Sequence, residues 1–303
     1  MCVATSLGHV DYHIRSNPER GVTEYSPGVV AGTESAPGRY RILAPYLYTG
    51  VTRVTSFAPR ESWVLFRWMS LLASLYATLW YFSTWFDRNA AALASVALAA
   101  LVPLTFTNGW AHPDHLVEWC LFTLGCACIA RGRTAWFAIV LVANALNRET
   151  SAFLVPLFLL AAPITRRRLL QTAMLGGLWV AIFVGLRWWL GFQSYDPWQL
   201  GRNIEFLKLM PDAWDPYYRS YAWFVVIMAV PFVVAAIRTW PTLPRMVRAS
   251  TVVVAPAFVL VGLLFSSIIE TRIFTPLLPL LAPAVLFALL PTTGAPTNER
   301  EPQ

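Results

Sequence analysis

Asp11 and His13, in the run His-Val-Asp-Tyr-His, are the first residues of the chain equipped to move a proton. A carboxylate beside an imidazole acts as a general base on a hydroxyl or amine, or binds a divalent cation; a solvated terminal segment would carry the same residues without a role. Arg39 and Arg41 flank Tyr40 where a loop gives way to a helix. Two guanidiniums there suit a lipid phosphate, and ordinary headgroup anchoring uses the same residues. His112, Asp114 and His115 offer two imidazoles and a carboxylate within one turn, and Glu118 follows Asp114 at helical spacing. They could line a substrate pocket or cap a helix start. So tight a turn cannot converge all of them on one ion without strain, so no metal is assigned. Asn147, Arg148 and Glu149 break an apolar stretch, where charge survives only by pairing or by facing a cavity; a plain turn between two short helices is the alternative. Glu270 and Arg272 sit between the last two apolar stretches, as pocket and phosphate groups or as a salt bridge that pins a helical hairpin. Arg67 and Arg187 lie near ends of apolar stretches, where a long side chain can snorkel, and are given no chemistry.

The elements that must position these groups follow from composition. Hydrophobic residues make up 57% of the 303 positions and charged residues 13%, with a mean hydropathy of +0.53. A soluble domain has roughly 45–50% apolar and 25% charged residues, so the chain reads as an all-α, polytopic integral membrane protein. Its formal charge of +7 is carried by arginines, Lys208 being the single lysine. These are loop charges that set topology, and no basic run interleaved with aromatics points to nucleic acid. Cys120, Cys126 and Cys128 share one apolar segment as small hydrophobes, with neither disulfide nor metal spacing.

Spans are expected over residues 63–85, 90–106, 116–130, 169–190, 221–237, 249–269 and 274–290. Two shorter runs between 135 and 164 are split by Asn147 to Thr150, which gives about nine membrane segments, some short or broken. The positive-inside rule makes the loops holding Arg131/Arg133, Arg166 to Arg168 and Arg238/Arg245/Arg248 cytoplasmic, in a multi-pass protein of the cytoplasmic membrane. Every cluster named above then falls on the outer face. Residues 1–61 form an external N-terminal loop, 62–290 the transmembrane helical domain and 291–303 a disordered cytoplasmic tail. Within the first of these, Ile42, Leu43, Tyr46, Leu47, Val51 and Val54 recur at a helical period, so residues 40–57 read as an interfacial amphipathic helix. A short surface helix is expected over residues 203–210. An outside N-terminus without a preceding span suggests that a first transmembrane helix is missing from the chain.

Asp11-Tyr12-His13, the Arg-Tyr-Arg-x-Leu-x-Pro run from Arg39 to Pro45, the Asn147-Arg148-Glu149 break, and Glu270-Thr271-Arg272 followed by Pro276 and Pro279 carry a resemblance. The chain resembles the GT-C superfamily of membrane glycosyltransferases, which includes protein mannosyltransferases and aminoarabinose transferases. The resemblance implies an inverting transfer of a sugar from a polyprenyl-phosphate donor to an acceptor at the outer face. It implies Asp11, with His13, as the catalytic group, and Arg39, Arg41 and Arg272 as the donor phosphate site. His112, Asp114, Glu118, Asn147, Arg148, Glu149 and Glu270 would line the pocket. No cofactor is identified, and the partners are the lipid-linked donor, membrane lipid and an acceptor of unknown kind. A transporter or flippase of a lipid-linked or anionic solute, with the broken segment as its binding site, is the alternative; a membrane assembly subunit without catalysis is a third. No Walker loop, dinucleotide glycine pattern or Gly-x-Ser-x-Gly elbow is present.

Overall fold

The computed structural model describes residues 25–101, 114–195, 198–209, 230, 232–266 and 274–290. Every regular element among them is helical. The helices are α1 (Ser26–Ala31), α2 (Leu43–Thr55), α3 (Pro59–Phe82), α4 (Arg88–Leu101), α5 (Asp114–Ala130), α6 (Thr134–Ala145), α7 (Leu154–Leu160), α8 (Arg166–Leu190), α9 (Leu200–Leu209), α10 (Arg245–Phe265) and α11 (Leu277–Leu289). Residues 232–239 are also helical.

The core forms around α5, whose residues are apolar on all sides and buried on nearly all of them, as expected of a helix enclosed by neighbours. Helix α3 lies closest to it, through a small-residue stripe that lets two backbones approach. Ser70, Ser74 and Thr78 return their hydroxyls to carbonyls one turn earlier, and Ser74 Oγ also donates to Leu116 O at 2.9 Å. Gly125 has a similar role on the other side of α5: a Cβ there would stand 2.8 Å from Leu154 Cδ1 of α7.

The apolar run after Arg133 is broken as its polar tetrad requires. Helix α6 is 12 residues long and α7 is 7, with a 3-10 turn, Glu149–Phe153, between them. At about 1.5 Å per residue neither reaches the roughly 30 Å thickness of a hydrocarbon core. They return against each other, Phe137 stacking on Phe158 with ring centroids 5.2 Å apart.

Among the described residues two helices are long and apolar enough to cross a membrane, α8 with 25 residues and α10 with 21. Helix α8 is mostly exposed despite its composition, with Leu170, Met174, Val180 and Trp188 facing outward. Within α10 a π-helical turn, Ser250–Val254, precedes Pro256, which has no N–H to give to the helix.

The helix expected over residues 40–57 is present with shorter bounds, because Tyr40 belongs to a 3-10 turn (Gly38–Tyr40) and the chain leaves α2 at Ser56 with φ of 53°. Its inner face sets Ala44 and Tyr48 against Trp63, Phe66 and Val117. Tyr46, Leu47 and Val54 are exposed on the outer face, Val54 at 86%. The segment from Tyr25 onward thus packs on the helical body. Helix α9 stands where a short surface helix is expected. The tail 291–303 and most of the span expected over 221–237 lie outside the described residues.

The bundle has two distinct ends. At one, Arg131 donates to Trp80 O at 2.9 Å, Arg168 Nε to Phe158 O at 2.9 Å and Arg245 Nε to Leu160 O at 3.1 Å. Each cation meets the last carbonyls of a helix, where the macrodipole is negative and acceptors are left over. The other end gathers the turn before α2, the start of α5, the break after α6 and the end of α8.

Candidate functional site

Four pieces of chain meet at that second end. Leu43 N donates to Leu146 O at 3.1 Å, tying the start of α2 to the end of α6. Asn147 Nδ2 donates to Asp114 O at 2.9 Å, tying the break to α5. Arg148 is extended, with φ of −156° and ψ of 149°, so it and Glu149 direct their side chains to different partners.

Arg148 turns inward. Its Nη1 stands 2.7 Å from Glu118 Oε2 and its Nε 3.6 Å from Asp114 Oδ2. Thr150 Oγ1 donates to the other Glu118 oxygen. The exposures of Asp114 (2%), Glu118 (0%) and Arg148 (7%) mark an inner layer closed to solvent. Ser151 extends it, donating to Arg148 O at 2.8 Å and accepting from Trp179 Nε1 of α8 at 2.8 Å.

Glu149 turns outward. One of its oxygens is 3.3 Å from Arg41 Nε and the other 3.5 Å from Arg187 Nη2. Arg41 links the layers, its Nη1 also lying 3.4 Å from Asp114 Oδ2. This outer layer is more open, with Glu149 at 28%, Arg41 at 20% and Arg187 at 11% exposure. Arg187 is braced by the Tyr40 ring at 4.4 Å and the Phe183 ring at 3.4 Å. Tyr40 is held in turn, its hydroxyl donating to Gly191 O and accepting from Gln193 N, both at 3.0 Å.

Among the described residues, three arginines thus face three carboxylates. Burial works against the charge on Arg41, but Glu149 and Asp114 outweigh it and hold its guanidinium above the ordinary pKa. Burial and the Asp114 charge likewise push the Tyr25 phenol above its usual range. Buried pairing on this scale is a poor source of stability, since desolvation offsets most of the attraction. Its chemical capacity lies in the outer layer, the less closed of the two, whose guanidiniums are of the kind that pairs with anions.

Of the residues singled out in the sequence, Arg41, Asp114, Glu118, Asn147, Arg148 and Glu149 converge. Asp11, His13, His112, Glu270 and Arg272 lie outside the described residues. Arg39 does not act as the twin of Arg41: it is half-buried and joins none of the network's ion pairs, because the 3-10 turn sends consecutive side chains in different directions. Among the described residues no three His, Cys, Asp or Glu side chains gather as a metal site. Arg187 was expected to snorkel and instead pairs with Glu149. Arg67 is buried at 2%, with its guanidinium 5.6 Å from the Trp63 ring centre. A signal for Arg187 existed in its place at the end of an apolar helix, followed by Gly191, but no spacing tied it to Glu149.

No protein family model, curated protein or solved structure matches the chain.

Proposed function

We propose that the chain is a multi-pass protein of the cytoplasmic membrane, with about nine membrane segments, that transfers a sugar from a polyprenyl-phosphate donor to an acceptor at the outer face, in the manner of GT-C glycosyltransferases. The observation that carries this reading is the network of Arg41, Arg148 and Arg187 with Asp114, Glu118 and Glu149, held at one end of apolar helices whose other end holds the arginine-capped turns. Ionisable groups at such a boundary are expensive unless they serve a purpose. Two apolar helices of crossing length among the described residues, α8 and α10, supply the membrane part of the reading.

In the proposed reaction Asp11, assisted by His13, takes the proton of the acceptor hydroxyl or amine. The freed lone pair attacks the anomeric carbon, and the bond from that carbon to the phosphate oxygen breaks with its electrons leaving on the phosphate. Arg41, with Arg272 as the resemblance implies, neutralises the departing polyprenyl phosphate. Asn147, Arg148, Glu118, Asp114, His112 and Glu270 shape the pocket.

Asp11→Asn tests this. The amide keeps the carboxylate's shape and cannot accept the proton, so sugar transfer should fall about 100- to 10,000-fold while donor binding persists. Full transfer by Asp11→Asn, with loss on Asp114→Asn, would move the base to α5. Solute uptake into proteoliposomes without any transfer would favour a carrier, which the broken segment at Asn147 to Thr150 also suits.

A further inference from the structure

We infer that Glu149 holds the place of a phosphate between Arg41 and Arg187, and that a phosphate group binds by displacing the Glu149 carboxylate from both guanidiniums. The inference rests on the proposed donor site and adds to it Arg187 and an exchange step.

Both guanidiniums are fixed by contacts that do not involve Glu149. Arg187 lies over the rings of Tyr40 and Phe183, and its Nη1 donates to Phe183 O at 3.2 Å. Arg41 follows the 3-10 turn and is paired with Asp114 as well. The Glu149 carboxylate, by contrast, is held through these two arginines and its own backbone N–H. Its pairs, at 3.3 and 3.5 Å, are longer than the 2.7 Å pair of Arg148 with Glu118, and it is the most exposed acid of the network. A rotation of the Glu149 side chain toward solvent would therefore leave two preset guanidiniums aimed at one point. That is the arrangement which planar donors use to bind phosphate oxygens.

Charge accounting gives the ligand class. With Glu149 turned out to solvent, the described groups of the network carry one net positive charge, because three arginines would face two carboxylates. A phosphate ester carrying one negative charge restores the balance, whereas a neutral sugar or a cation does not. The inner layer keeps its pairs throughout, so the exchange leaves Arg148 and Glu118 undisturbed. A lipid-linked phosphate and a free phosphate share this chemistry.

Binding titrations on the full chain in nanodiscs decide the matter, with farnesyl phosphate and inorganic phosphate as separate probes. Glu149→Gln removes the competing anion and should bind farnesyl phosphate about tenfold more tightly, and Arg187→Gln about tenfold more weakly, as loss of one charge-assisted contact predicts. Tightening for farnesyl phosphate alone identifies a lipid-linked ligand, and tightening for both probes a site for the phosphate group itself; either supports the exchange. Unchanged or weaker binding by a folded Glu149→Gln overturns it. If that variant does not fold, wild-type affinity in Arg187→Gln overturns it instead. Tightened binding without sugar transfer would leave the exchange standing and remove the transferase reading. Transfer with no change in binding for either variant would do the reverse.

Discussion

At the end of the bundle that holds Trp80, Phe158 and Leu160, arginines are matched to helix carbonyls; at the end that holds Leu43, Asp114 and Leu146, they are matched to carboxylates. The first arrangement explains itself, because terminal carbonyls need donors and a cation is the best complement to a helix C-terminus. The second does not. The acids could have been apolar, and replacing buried ion pairs by well-packed hydrophobes is often neutral or stabilising. Charges of both signs, kept where they contribute little to stability, are the reason the proposed function is placed at the carboxylate end.

The largest expected effect is categorical. Ser194 and Thr242 are exposed and lie toward the two opposite ends, so a cysteine at Ser194 should react with an impermeant thiol reagent from outside intact cells and one at Thr242 should not. Labelling at Thr242 alone would invert the proposed orientation and place the carboxylate end in the cytoplasm.

Next in size is the inner layer. Glu118→Ala leaves Arg148 buried without its closest partner and should cost about 3–5 kcal/mol in chemical denaturation, while a paired Glu118→Leu/Arg148→Met variant should recover most of it. At the other end, Arg131→Ala gives up a carbonyl contact at a partly open site and should cost only about 0.5–1.5 kcal/mol. Comparable losses at the two ends would erase the contrast between them.

Smaller in energy, but closer to function, is the outer layer. Arg41→Ala should weaken farnesyl phosphate binding by roughly 1.5 kcal/mol or more, the value of a charge-assisted hydrogen bond, and Arg60→Ala, at the exposed start of α3, should not. Equal small effects would reduce Arg41 to a headgroup anchor.

The sequence made the break at Asn147 to Thr150 legible, because charge inside an apolar run has few explanations. It also made the amphipathic stretch that became α2 legible, because periodicity reports a buried face directly. Who pairs with whom was not legible. Arg148 and Glu149 are neighbours in sequence, yet they serve different layers, since the extended backbone at Arg148 separates their directions. Arg187 was hidden for another reason. The apolar residues of α8 run all around it, so nothing in its pattern shows which side faces Glu149. That rotation is set by the packing of Arg187 on Tyr40 and of Trp179 on Ser151, partners far apart in the chain.

The pairing of Glu118 with Arg148 carries a consequence for how the protein is made. The two residues are 30 positions apart, so at a synthesis rate of about 5–20 residues per second the acid leaves the ribosome roughly 2–6 s before its arginine. In a membrane-spanning reading, α5 cannot settle alone during that interval without leaving a carboxylate in hydrocarbon. It must wait at the hydrated boundary until the α6–α7 hairpin arrives, so the three segments enter the bilayer as one cooperative unit.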